Sequence, residues 1–126
     1  MSVGVWITLF FAFSMVNSAQ GAKSSVSPEL DCGIYRLRGQ LKEKGNGVEV
    51  LELNPGTTAR ADVVLHELSV DDAVGYQGKN VEIEVYVYRP GKGPEARARV
   101  LKPAQAATLK SVTHEPVTIL SKKACE

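Results

Sequence analysis

Apolar and polar residues alternate most strictly at residues 81–88, where Val81, Ile83, Val85 and Val87 share one face and Glu82, Glu84, Tyr86 and Tyr88 the other. A period of two with one apolar face marks a strand that buries one side and leaves the other to water or a partner. Residues 33–42 alternate less regularly, with Tyr35, Leu37, Gly39 and Leu41 opposed to Arg36, Arg38 and Gln40. The turn signal Lys44-Gly45-Asn46-Gly47 follows, predicting a hairpin with a second strand at 48–53. There the apolar positions change phase, from Val48 and Val50 to Leu51 and Leu53, which predicts a bulge. Asn54-Pro55-Gly56 turns the chain into a third strand at 61–68. Beyond residues 81–88, a Pro- and Gly-containing loop at 89–95 leads to a fifth strand at 96–101, where Ala96, Ala98 and Val100 oppose Arg97 and Arg99.

The stretch 69–75 breaks this pattern. Ser69 stands where a helix cap is needed, Asp72 at the reciprocal position of a capping box, and Gly75 where the turn can end. One short helix is predicted between the third and fourth strands. After Pro103 a helical turn is expected through Leu109, then a strand at 112–120 that Pro116 confines to a sheet edge.

The first residues belong to a different class. Residues 3–13 are apolar and uncharged, too short to span a bilayer as a helix but suited to the hydrophobic region of a signal peptide. Ala19-Gln20-Gly21 fits a signal peptidase, so residues 1–21 read as a signal peptide cut after Gly21. No Lys or Arg precedes the apolar run, and an uncleaved anchor stays open. Residues 22–31 form an extended polar lead-in. Every Trp, Phe and Met lies in the signal segment, so the exported part has only Tyr35, Tyr76, Tyr86 and Tyr88 as aromatics and builds its core from aliphatic residues. Cys32 and Cys125 are the two cysteines; in an oxidising compartment they have one intramolecular pairing, tying residues 103–126 back to the first strand. The net charge of +1 excludes the broad basic footprint of a general nucleic-acid binder.

Three strands, a short helix and two strands resemble the OB-fold, a five-stranded Greek-key barrel. The passage Ala73-Val74-Gly75-Tyr76-Gln77-Gly78-Lys79-Asn80-Val81-Glu82-Ile83-Glu84-Val85 is similar to the Gly-Lys-x-Val-x-Ile-x-Val entry into the fourth strand of many bacterial OB domains. The resemblance covers residues 32–102. It implies an all-β chain: a five- or six-stranded OB-like Greek-key barrel with one short helix, and residues 103–126 as a tail or extra edge strand. It names no activity.

OB domains that bind ligands use strands two and three with the loops joining strands one and two and strands four and five. Those loops here carry Lys42 and Lys44, and Arg89 and Lys92. Strands two and three have no aromatic platform for bases and contain Glu49, Glu52 and Asp62, so nucleic acid is not expected as a partner. His66-Glu67 and His114-Glu115 form no His-Glu-x-x-His motif, and neither a Gly-x-Ser-x-Gly elbow nor a phosphate loop is present. No catalytic residue, metal or cofactor is therefore expected. Tyr86 and Tyr88, with Glu82 and Glu84, make the best candidate surface, since tyrosine is enriched among residues that anchor protein interfaces; the alternative is that the two rings cover the barrel end or pack beneath the C-terminal tail. Arg97 and Arg99 could pair across strands with Glu82 and Glu84. The reading that follows is a non-catalytic exported module, periplasmic or extracellular, that contacts another protein. Two alternatives stand beside it: a carbohydrate-binding oligomeric subunit resembling toxin B subunits, and a secreted inhibitor acting through loop 89–95.

Overall fold

Strand β2 (Gly33–Glu43) is the hub of the molecule. A computed structural model describes residues 27–92 and 96–126; the expected signal segment and the first half of the lead-in lie outside them. Two-residue β1 (Glu29–Leu30) precedes the hub, and β3 (Glu49–Leu53) and β4 (Ala61–His66) follow as a meander. Helix α1 (Val70–Gly75) leads to β5 (Asn80–Arg89), β6 (Gly91–Lys92) and β7 (Arg97–Val100). The chain then forms β8 (Gln105–Ala106), helix α2 (Leu109–His114) and β9 (Val117–Lys122).

Five strands close on themselves in the order β2, β3, β4, β7, β5 and back to β2. All pair antiparallel except β4 with β7, which run parallel. That closure, with α1 between the third and fourth barrel strands, is an OB-like barrel. The alternation read from the sequence explains it. Leu37, Leu41, Leu51, Leu53, Val63, Leu65, Val81, Ile83, Val85, Val87 and Ala98 point inward and are buried in one cluster. Among the described residues Tyr35 is the one buried tyrosine, and its hydroxyl donates to the Asp31 carbonyl at 2.8 Å.

The fourth-strand entry motif has a mechanical role. Gly78 adopts φ +76°, its N–H donates to the Leu41 carbonyl at 2.7 Å, and the Lys79 carbonyl accepts from Leu41 N–H at 3.0 Å. A left-handed residue here folds the chain back onto β2 before β5 begins, and glycine adopts that conformation without steric cost.

Several expectations are corrected. Neither pairing of β3 shows a register shift; Val50 changes phase because it is buried on the outer face, opposite Lys42 and Val64. The bulges lie elsewhere, at Ile34/Tyr35 against β9 and at Val87/Arg89 against β7. The third strand stops at His66, because Glu67 turns to φ 67°. Ser69 caps α1 as expected, but the Asp72 carboxylate accepts from the Ala104 N–H at 2.9 Å, so it fastens the helix to the segment after β7. Part of the loop at 89–95 is strand β6, paired with β1. The second helix begins only at Leu109, capped by Thr108, and anchors through buried Val112. β9 lies at the end of the sheet, with the Pro116 carbonyl accepting from Arg38 N–H at 2.8 Å. Its flanking proline and its bulge blunt that open edge.

Candidate functional site

Tyr86 and Tyr88 project from the outer face of β5 because Val85 and Val87 fill its inner face. In register, Tyr86 stands opposite Arg99 of β7, and Arg99 stands opposite His66 of β4. Tyr88 is the extra residue of the β5 bulge, since Val87 pairs with Ala98 and Arg89 with Arg97. A bulge re-aims its side chain. The Tyr88 ring lies 5.0 Å from the Arg99 guanidinium carbon and 5.9 Å from the His66 ring. Tyr86 adds a second ring at 6.0 Å from the guanidinium, within the range of cation–π attraction.

The segment after β9 folds over this face. The Cys32–Cys125 disulfide pins it, with the two Cα atoms 5.2 Å apart. The Tyr86 hydroxyl donates to the Ala124 carbonyl, and Lys123 Nζ lies 5.6 Å from the Tyr86 ring. Arg99 places Nη1 3.0 Å and Nη2 3.1 Å from the two carboxylate oxygens of Glu126, and its Nε 3.1 Å from Glu67. Hydrogen bonds from Arg99 hold the Glu126 carboxyl below its ordinary range, and the same bonds raise the Arg99 guanidinium. Arg99 therefore does not pair with Glu82 or Glu84. β7 meets β5 only from Val85 onward, and those two carboxylates lie earlier along the strand. Glu82 takes Arg38 at 2.9 Å, and Glu84 takes Lys102 at 3.6 Å.

Lys42 and Lys44 belong to another place. Gln40 pairs with Asn80 and Gly33 with Val87, so these lysines sit at the end of the barrel where β5 begins, and Arg89 at the end where it finishes. Lys92 lies beyond Arg89, in β6. The lysines are committed to two carboxylates that face each other across β3 and β4: Lys42 to Glu52 at 2.7 Å and Lys44 to Asp62 at 2.8 Å. Arg60 bridges both, at 2.9 Å from Glu52 and 3.2 Å from Asp62. Glu52 and Asp62 are only 4% and 3% exposed, covered by the cation stems. The cations on the surface that OB domains usually use for binding are thus paired with its own carboxylates.

Burial pushes the Glu52 carboxyl up, but hydrogen bonds and charge from Lys42 and Arg60 outweigh it and leave it below its ordinary value. A carboxyl depressed on folding contributes stability in full above its unfolded value and loses it as pH falls through the folded one. Urea midpoints should thus fall as pH drops below about 4, and Glu52→Gln should flatten that part of the profile. An unchanged profile in the variant would remove Glu52 from this role.

Among the described residues, no group of three His, Cys, Asp or Glu side chains is placed to hold a metal ion, and no helix is long and apolar enough to cross a membrane. No protein family, curated protein or solved structure matches this chain. The functional reading stands on geometry alone.

The sequence placed Tyr86, Tyr88 and Arg89 on one stretch of chain. It missed Arg99, whose alternation with Ala98 and Val100 reads as an ordinary outward residue. The covering segment was legible as the alternative in which Tyr86 and Tyr88 pack beneath the C-terminal tail, and the Tyr86 hydroxyl does meet the Ala124 carbonyl there.

Proposed function

We propose that this chain is a non-catalytic, exported module that binds another envelope or extracellular protein through the face formed by Tyr86, Tyr88 and Arg99. One observation carries the reading: two tyrosines on an outer strand face are half-buried against a guanidinium and a short strap, while the cations of the usual OB surface are paired with its own carboxylates. Amphipathic rings and an arginine at one spot are the residue types that dominate protein-binding hot spots. Export is supported by the signal-like residues 1–21 and by the disulfide.

Crosslinking in intact producing cells, from a photoreactive residue at position 88, tests this reading. Position 88 is preferable to 86, whose hydroxyl already touches the covering segment. A single reproducible adduct with another protein is expected, and replacing Tyr86 with Ser should weaken it while far-UV circular dichroism stays unchanged. A folded, exported protein with no adduct would remove this face from the proposal. An adduct between two copies would replace partner binding with self-assembly.

A further inference from the structure

We propose that the Tyr86–Tyr88–Arg99 face recognises an acidic peptide segment of its partner, and that the chain's own Glu126 occupies the site as an intramolecular stand-in. The inference rests on the binding reading above and gives it a ligand class.

Arg99 already displays the geometry of carboxylate recognition. Both terminal nitrogens face both Glu126 oxygens, at 3.0 and 3.1 Å, while Tyr88 and Tyr86 back the guanidinium. A planar fork matched to a carboxylate and braced by rings is the arrangement in which arginine is least replaceable by lysine. Glu126 itself is 52% exposed, so it lies over the site without being enclosed by it.

The charge around the site favours the same ligand. Arg89 stands directly opposite Arg97, two steps along the ladder from the Tyr86–Arg99 pair. Like charges in directly opposed positions oppose folding. Lys123 adds a fourth cation above Tyr86. Among the described residues, Arg89, Arg97, Arg99 and Lys123 gather here while Glu67 and Glu126 are the carboxylates that meet Arg99, and an acidic segment would offset positive charge at this face. A carboxylate is favoured over a phosphate because the group now in place is a carboxylate.

The disulfide makes the stand-in effective but weak. Cys125 holds Glu126 beside Arg99 at a local concentration in the millimolar range typical of short tethers. Exposed ion pairs are individually weak, so a second carboxylate can displace this one.

The test is an NMR titration of the oxidised full chain with acetyl-Gly-Glu-Glu-Gly-amide and with its Gln-Gln counterpart. The Glu peptide should move the Arg99 Nε–H and Tyr88 ring signals in a saturable way. It should bind Glu126→Gln at least about threefold more tightly than the unaltered chain. Arg99→Gln should lose the response, and Arg99→Lys, which keeps the charge, should weaken it. Equal binding of the Gln peptide, no gain in Glu126→Gln, or undiminished binding in Arg99→Lys would overturn the inference. Repeating the position-88 crosslink in the Arg99→Gln chain separates the two levels. A partner adduct that persists there would reject the acidic ligand and leave the binding module standing. Loss of the adduct there supports both.

Discussion

Replacing Cys32 and Cys125 together with serine is expected to lower the unfolding free energy by about 4–5 kcal/mol, the value that loop-closure entropy assigns to so long a ring. Domains of this size hold only about 5–15 kcal/mol in total, so the variant should sit near the edge of folding at body temperature. Urea unfolding followed by far-UV circular dichroism measures the difference directly, and adding a thiol reductant to the unaltered chain should reproduce it. A loss below about 1 kcal/mol would mean that β9 and its contacts hold the tail without help from the bridge. The native contacts make such a small loss unexpected. After β9 the tail is held by two hydrogen bonds, from the Tyr86 hydroxyl to the Ala124 carbonyl and from the Glu126 N–H to the Tyr88 carbonyl, and by one exposed ion pair, and nothing apolar in it is buried.

Gly39→Ala is expected to destabilise the barrel by about 3 kcal/mol or more, at or beyond the upper end of ordinary overpacking. A Cβ at this position would lie 2.4 Å from the Glu52 carbonyl oxygen, 3.0 Å from its carbon and 3.2 Å from Leu51 Cγ. The first two atoms are backbone of the neighbouring strand, so relief requires moving β3 away from β2. Movement of that kind would also part Leu51 and Leu53 from the core and strain the Glu52–Arg60 contact. Thermal unfolding of the variant beside Gly33→Ala gives an internal comparison, since the nearest approach at Gly33 is 2.8 Å, to a carbonyl of the edge strand β9. The Gly39 change should be the more damaging. The opposite ranking would show that β3 yields more readily than its buried setting implies.

How much of this was legible in the residues can be seen at particular places. The inward faces of β2 and β5 follow from period-two alternation, and Ser69 announced α1 correctly, because both signals are local. Gly39 appeared on the inward face, yet nothing local says that a neighbouring backbone crosses it. The phase change from Val48 and Val50 to Leu51 and Leu53 suggested a bulge where Val50 and Glu52 are instead buried on the outer face, beside cations that come from separate segments. Two-residue ladders such as β1–β6 are too short to leave a period. The candidate site divides in the same way. Tyr86 and Tyr88 were visible as outward residues, but the bulge that turns Tyr88 toward Arg99 comes from the pairing of β5 with β7. Glu126 reaches Arg99 only because the disulfide brings it there.

The position of β2 bears on the order in which the molecule can assemble. It pairs with β3, which follows it at once, but also with β5 and with β9. Folding rates fall as contacts span more of the chain, and a barrel that closes only when β7 enters between β4 and β5 belongs among the slow folders. A lengthening polypeptide would carry β4 and β5 unjoined until β7 had been made, and residues 33–37 of β2 without their second neighbour until β9 followed. Closure is therefore a late event in synthesis, and the apolar inner faces of β2, β3, β4 and β5 stay without their common enclosure until β7 is in place.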